Sequence, residues 1–175
     1  MKITVVGSGG WGTALALLLV ENGHDVTLWS HTPAKAVALE ETRENPMLKG
    51  VPLPPEMKFT ADLGAVKGCG AVVMATPSYA VRETAHKLRG IIDPGKCPVV
   101  VLSGPSHAEE VGRHIPTGVV AAADNLKDAE LVQDLFMNPR FRVYTSDDRI
   151  GTEICAALKN VIALCAGCTD GMGCG

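Results

Sequence analysis

Gly7-Ser8-Gly9-Gly10-Trp11-Gly12 fits the spacing G-x-G-x-x-G. It stands between a short β-branched run at residues 2–7 (KITVVG) and a helix-forming run at residues 13–22 (TALALLLVEN). In that context Gly7 admits a tight turn, Gly9 lets the backbone approach a pyrophosphate, and Gly12 permits close packing of helix on strand. Unpaired N–H groups at the helix start then face the phosphates. The chemistry is dinucleotide binding, with Gly7, Gly9, Gly10, Trp11 and Gly12 as cofactor-binding candidates. An NAD-selective site usually ends its second strand with Asp or Glu on the ribose hydroxyls, whereas here that point reads Trp29-Ser30-His31. Without an acid a 2′-phosphate is not repelled, so NAD and NADP are both admissible. His31 is either a hydrogen-bond donor to that phosphate or a surface histidine with no role.

A second chemical signal lies near the other end. Residues 155–168 (CAALKNVIALCAGC) form a helix that is apolar all round except for Lys159 and Asn160, and such a helix belongs inside something. An ammonium buried there must find a partner or have its pKa lowered, the state in which lysines act as general acids and bases. The alternative is that Lys159 emerges at an interface or snorkels to water.

Three further groupings sit where strands give way to helices. Ser103-Gly104-Pro105-Ser106 follows an expected strand at 98–102, and Ser106 with Glu109 has capping-box spacing. This sets a hydroxyl and free N–H groups at the carboxyl end of a strand, where open α/β sheets bind ligands, although a helix cap needs no ligand. Thr76-Pro77-Ser78 stands similarly, and Pro77 is a candidate for lining the cofactor, with ordinary turn chemistry as the alternative. Cys165-x-x-Cys168 has the spacing of a redox or zinc pair, but none of the five histidines is near it in sequence, so no metal site is expected.

These groups need a scaffold. Residues 25–30 (DVTLWS) read as a second strand, so strand, glycine turn, helix and strand make a βαβ unit with parallel strands and a right-handed crossover. Gly23 is placed to stop the first helix. Residues 40–55, rich in proline and charge, read as a surface connection. Further strands are expected at 57–60, 71–75, 98–102, 118–122 and 141–144, and helices at 79–88, 108–114 and 126–137. The alternation predicts an α/β fold of Rossmann type, a mostly parallel sheet with helices on both faces. A dinucleotide-binding domain at 1–148 is followed by the first helix of an all-helical substrate domain at 149–175.

Composition narrows the function classes. The 175 residues are 46% hydrophobic and 20% charged, with a formal net charge of -3, the make-up of an ordinary globular domain able to bury one sizeable core. Scattered Lys and Arg give no footprint for nucleic acid or an anionic membrane. The N-terminus lacks the pattern of a signal peptide, and no segment reads as approaching the length of a membrane span. Six cysteines among apolar or small neighbours read as buried thiols in a reducing compartment, which places the protein in the cytoplasm.

The motifs together resemble bacterial NAD(P)-dependent glycerol-3-phosphate dehydrogenase. They are GSGGWGTALA at 7–16, LWSH at 28–31, RENPMLKGVPLP at 43–54, ATPS at 75–78, LSGPSHAEEV at 102–111, PTGVV at 116–120, FRVY at 141–144 and GTEICAALKNVIALCAG at 151–167. The similarity covers essentially the whole chain, and the ordered pairing of LSGPS with LKNVIA is its most specific part. The resemblance implies hydride transfer between NAD(P)H and dihydroxyacetone phosphate, giving sn-glycerol 3-phosphate for phospholipid synthesis. It implies that Gly10, Trp11, His31 and Ala108 contact the cofactor, that Gly104 and Ser106 meet the substrate, and that Lys159 binds substrate and carries the catalytic proton. A homodimer is a possible assembly.

The chain departs from that family pattern in three places. After residues 91–95 the family carries another strand, a Lys-Gly pair and a helix before LSGPS, whereas here Lys96-Cys97-Pro98 follows at once. The family also has a helical domain with an aspartate and an arginine–asparagine pair at the site, of which residues 149–175 would be the start. Lys49 stands where the family usually has proline. Two other readings stay open: another two-domain dehydrogenase, of 6-phosphogluconate or 3-hydroxyacyl-CoA type, and a cofactor-binding fragment without turnover.

Overall fold

The computed structural model describes residues 1–93, 95 and 97–174. The opening run becomes β1 (Lys2–Val6), in which Ile3, Val5 and the alternate Thr4, Val6 are all buried. A strand buried on both faces belongs at the centre of a doubly covered sheet. It lies there, in a four-stranded parallel sheet of order β3-β2-β1-β4 with β2 (Asp25–Trp29), β3 (Lys58–Thr60) and β4 (Ala71–Met74). The register pairs Val6 with both Trp29 and Met74, so β2, β1 and β4 end level.

Helix α1 (Gly10–Glu21) covers one face. Residues Ala14 to Leu19 are buried on every side and share one core cluster with Ile3, Val5, Val26 and Leu28. The glycine stop at Gly23 is observed, with φ of 81°. The opposite face, carrying Val6 and Trp29, is closed by a 3-10 turn (Leu63–Val66) and α3 (Ser78–Arg89) through Val66 and Leu88. Between β2 and β3 lies α2 (Pro33–Thr42). This helix is not among those expected from the sequence, although Pro33 at its first turn is a standard start signal.

Beyond α3 come β5 (Val101–Ser103), α4 (Ala108–Gly112), β6 (Thr117–Ala122), α5 (Leu126–Phe136), β7 (Phe141–Ser146) and α6 (Arg149–Gly171). Strands β5, β6 and β7 form a second sheet, antiparallel at β5–β6 and parallel at β6–β7. Its Val119 and Val143 belong to the same core cluster as α1. Asn22, at the end of α1, ties the two parts by donating from Nδ2 to the Leu135 carbonyl (2.8 Å) and accepting from Asn138 Nδ2 (3.2 Å). The mostly parallel, doubly covered α/β fold is therefore observed, but as two sheets sharing one core. The junction at which the family pattern would have another strand involves Pro94 and Lys96, which lie outside the described residues.

Four expectations change. The 40–55 connection is not wholly on the surface, because Asn45, Leu48, Val51 and Leu53 are buried by packing over α1. Of the six cysteines only Cys69 is partly buried and the other five are exposed; four of those five stand on α6 or just after it. Helix α6 has no buried residue, so its apolar sides stand open. It is also longer than its apolar run, taking in Arg149 to Ile154 and Thr169 to Gly171. At 23 residues, with an 18-residue stretch of mean hydropathy 1.4, it is long and apolar enough to cross a membrane by length and composition, so the expectation that no segment approaches a span fails on length.

Candidate functional site

The site begins where β1 ends. Gly7 takes φ of 126°, a conformation L side chains rarely adopt, and a Cβ there would lie 2.5 Å from the Ala75 carbonyl oxygen. At Gly12 a Cβ would fall 1.9 Å from the Gly7 carbonyl oxygen, so α1 can approach β1 this closely only through glycine. Gly9 is different, with nothing within 4 Å of the place its Cβ would occupy. It is the N-cap of α1 in extended backbone with no side chain capping the helix, which leaves first-turn N–H groups facing open space. The roles expected of Gly7, Gly9 and Gly12 fit this geometry. Gly10 adds the convergence, since a Cβ there would lie 2.7 Å from the Met47 carbonyl oxygen and 3.6 Å from Ala108 Cβ. Two candidates nearly a hundred residues apart in sequence, Gly10 and Ala108, thus meet. Trp11 is partly buried against the main core cluster.

A polar frame behind the loop was not visible from spacing. Asn45 is buried, donates from Nδ2 to the Ser8 carbonyl (3.1 Å) and to Thr13 Oγ1 (2.6 Å), and accepts from the Met47 N–H at Oδ1 (3.0 Å). Lys35 Nζ donates to the same Ser8 carbonyl at 2.7 Å. Ser8 Oγ donates to Ser30 Oγ at 3.0 Å, joining the loop to the end of β2. His31 is exposed beside Trp29, with ring centroids 5.9 Å apart. Desolvation pulls the Lys35 ammonium below the ordinary lysine pKa.

At the tip of β4, Pro77 is exposed and forms the N-cap of α3. Its neighbour Thr76 carries a buried Oγ1 with no hydrogen-bond partner among the described residues, next to the loop, because a Gly7 Cβ would lie 3.1 Å from the Thr76 nitrogen. An orphaned hydroxyl, an open helix start and a glycine cradle fit a dinucleotide diphosphate.

Gly104 turns tightly against β6, where a Cβ would be 2.7 Å from the Gly118 carbonyl oxygen. Ser106 does not cap α4. The N-cap is His107, with no side-chain cap bond, and Ser106 turns back so that its N–H and Oγ reach the Gly104 carbonyl at 2.9 and 3.4 Å. His107 Nδ1 instead meets Glu109 Oε2 at 2.8 Å. Of the two alternatives for Lys159, the structure shows the exposed one: it stands open on α6, which meets the body chiefly at β5 and β6, and no element among the described residues covers the apolar sides that would enclose it. The structure places it in hydrogen-bonding contact with neither loop.

Comparison with known proteins gives a consistent picture. Residues 2–97 and 91–129 match the family model described as NAD-dependent glycerol-3-phosphate dehydrogenase N-terminus, and residues 148–175 match its C-terminus counterpart. The glycerol-3-phosphate dehydrogenase [NAD(P)+] of Desulfitobacterium hafniense is 45% identical over 202 residues, covering 99% of this chain and 57% of that protein. That of Moorella thermoacetica is 48% identical, covering 99% and 60%. The chain thus spans less than two thirds of these relatives, and the alignment is longer than its own 175 residues, so they carry interior positions without a counterpart here. The crystal structure of glycerol-3-phosphate dehydrogenase from Coxiella burnetii superposes with a TM-score of 0.87 at 31% identity, covering 99% of this chain and 62% of that one. A UDP-D-ManNAc dehydrogenase from Pyrococcus horikoshii shares the fold at 14% identity, with a TM-score of 0.71 over 93% of this chain and 50% of that one.

Proposed function

Since the chain belongs to the NAD-dependent glycerol-3-phosphate dehydrogenase family, we propose that it is the cofactor-binding part of an enzyme that moves a hydride between NAD(P)H and dihydroxyacetone phosphate, giving sn-glycerol 3-phosphate. The observation that carries this reading is the convergence of Gly10, Ala108 and the open N-terminus of α1 beside an orphaned Thr76 hydroxyl. A bound nicotinamide would supply the hydride chemistry. The chain's own residues bind and orient: Gly7, Gly9 and Gly12 shape the diphosphate cradle, Gly10, Trp11, Pro77 and Ala108 line it, and His31 faces the adenosine ribose. Gly104 and Ser106 meet the substrate. As a ketone carbon accepts hydride its oxygen gains charge, and Lys159 Nζ donates the proton that quenches it.

That role needs Lys159 enclosed, which sets the domain reading: a dinucleotide domain at 1–148 and the first helix of a helical substrate domain at 149–175. The match of residues 148–175 to the family C-terminus and the polar pair Lys159-Asn160 at mid-helix favour a domain core over a membrane span for α6. The product is a phospholipid precursor, the setting is the cytoplasm, and a homodimer is the assembly. A second reading, nucleotide binding without turnover, is favoured by the exposure of Lys159 on α6.

The test follows NADPH, then NADH, by absorbance after addition of dihydroxyacetone phosphate, with nucleotide binding measured separately. Substrate-dependent loss of absorbance establishes the reaction. Binding without loss selects the second reading, and absence of binding by either nucleotide refutes both.

A further inference from the structure

Lys35 is held against the glycine loop without a counter-charge. It lies on the first turn of α2, half-buried, with Nζ 2.7 Å from the Ser8 carbonyl oxygen and 3.7 Å from Met47 Sδ. Both partners are neutral, and among the described residues no carboxylate forms an ion pair with it. Partial burial of an unpaired ammonium is unfavourable, and desolvation lowers its pKa accordingly. An anion arriving beside it would offset that cost.

The position says which anion. Ser8 links Lys35 to Ser30 through its hydroxyl, and Ser30 and His31 occupy the end of β2, where an NAD-selective fold sets the acid that holds the ribose hydroxyls. Here that end carries a hydroxyl and an imidazole, with an ammonium reaching the loop from the next helix. Glu83 lies within electrostatic reach of His31, but its charge is already engaged by Lys87 at 2.6 Å. Of the three N–H donors of the Lys35 ammonium, Ser8 takes one and the Met47 sulfur is a weak acceptor, so donor capacity remains for a phosphate oxygen.

We propose that Lys35 is a specificity-determining residue of the cofactor site: its ammonium, together with His31, receives the 2′-phosphate of the adenosine ribose, so that the site selects NADPH over NADH. This rests on the reading of the glycine loop as the nucleotide site.

The experiment is calorimetric titration of the purified chain with NADPH and with NADH, for wild type, Lys35→Met and Lys35→Arg, with urea midpoints to confirm folding. Wild type is expected to bind NADPH roughly tenfold or more tightly than NADH, as a charge-assisted contact to phosphate implies. Lys35→Met should lose most of that preference while its NADH affinity stays within about twofold, and Lys35→Arg should keep the preference. Equal weakening of both nucleotides by Lys35→Met would mean that Lys35 only steadies the Ser8 carbonyl, and no effect on either would mean that it is a bystander. Each of those results overturns the proposal while leaving the site reading intact. If wild type binds neither nucleotide, the site reading itself falls, and the inference with it.

Discussion

Replacing Asn45 by alanine should destabilise the protein by about 3 kcal/mol, a large effect for a residue in a loop. The side chain is 1% exposed and makes three hydrogen bonds, to the Ser8 carbonyl, to Thr13 Oγ1 and from the Met47 N–H. At a net value of about 1 kcal/mol each, these sum to the stated figure. Loss of the Asn45 donor to Thr13, whose side chain is itself buried, pushes the figure up, and a water entering the vacated space pulls it down. Asn45→Asp separates bonding from space-filling. It keeps the shape and the acceptor for Met47 and removes both donors, while the Lys35 ammonium on the same Ser8 carbonyl offsets part of the new charge, so it should cost less than Asn45→Ala. Urea unfolding followed by circular dichroism reads the change as a drop in midpoint on the order of 1–2 M with unchanged slope. NADPH affinity should fall in parallel, because Gly10 backs directly onto the Met47 carbonyl. Stability within about 0.5 kcal/mol of wild type for Asn45→Ala would refute the claim that this asparagine holds the loop.

Gly9→Ala and Gly12→Ala should split binding from stability. The first meets nothing within 4 Å and should leave the urea midpoint nearly unchanged while weakening NADPH, whereas the second drives a methyl to 1.9 Å from the Gly7 carbonyl oxygen and should unfold the domain; the reverse ranking would contradict the cradle. Asp25, held below its ordinary pKa of 3.8 chiefly by the hydrogen bond from Lys58, contributes stability that is present above that value and lost as pH falls through its folded pKa. Lys58→Met should bring the Asp25 pKa back up towards 3.8 by NMR titration, and an unmoved pKa would show that the 2.6 Å pair is not maintained in solution. Limited trypsin digestion should cut at Lys159 before sites in α1 to β7, since α6 has no buried residue; a protected Lys159 would mean that α6 is covered in solution.

How much of this was legible in the sequence depended on how far each interaction reaches. The glycine loop was readable because its strand, turn and helix lie within about twenty residues, and local pattern fixes all three. The parallel pairing of β1 with β2 followed from the βαβ crossover in the same way, whereas the order of the remaining strands and their division into two sheets did not. Asn45 and Lys35 were not readable as site residues, because their contacts with Ser8 span 37 and 27 positions, and neither residue type signals such a role. A partial signal existed for Lys35. Pro33 at a helix start directly after β2 places it one turn into α2, on the side of the loop. The capping-box spacing of Ser106 and Glu109 misled, since Gly104 lies so close to Gly118 that the turn rolls Ser106 back onto the Gly104 carbonyl before α4 begins.

Lys159 shows a different limit. An apolar helix says that its surface requires a cover but not what the cover is, and the acid–base chemistry expected of Lys159 is a property of that cover rather than of the helix. In the structure the helix is anchored at one end by Arg149, which bonds Asp124 at 3.0 Å and Glu153 at 2.8 Å. The exposed Ile154, Leu158, Val161 and Ile162 run along the rest. On the proposed function, binding and catalysis then separate physically. The nucleotide site draws only on residues of the body, from the glycine loop to Met47, Thr76 and Ala108, whereas proton transfer from Lys159 needs a low-dielectric enclosure that α6 alone cannot make. A polypeptide of this sequence should accordingly show cofactor affinity that is independent of any partner, and turnover only where something encloses α6.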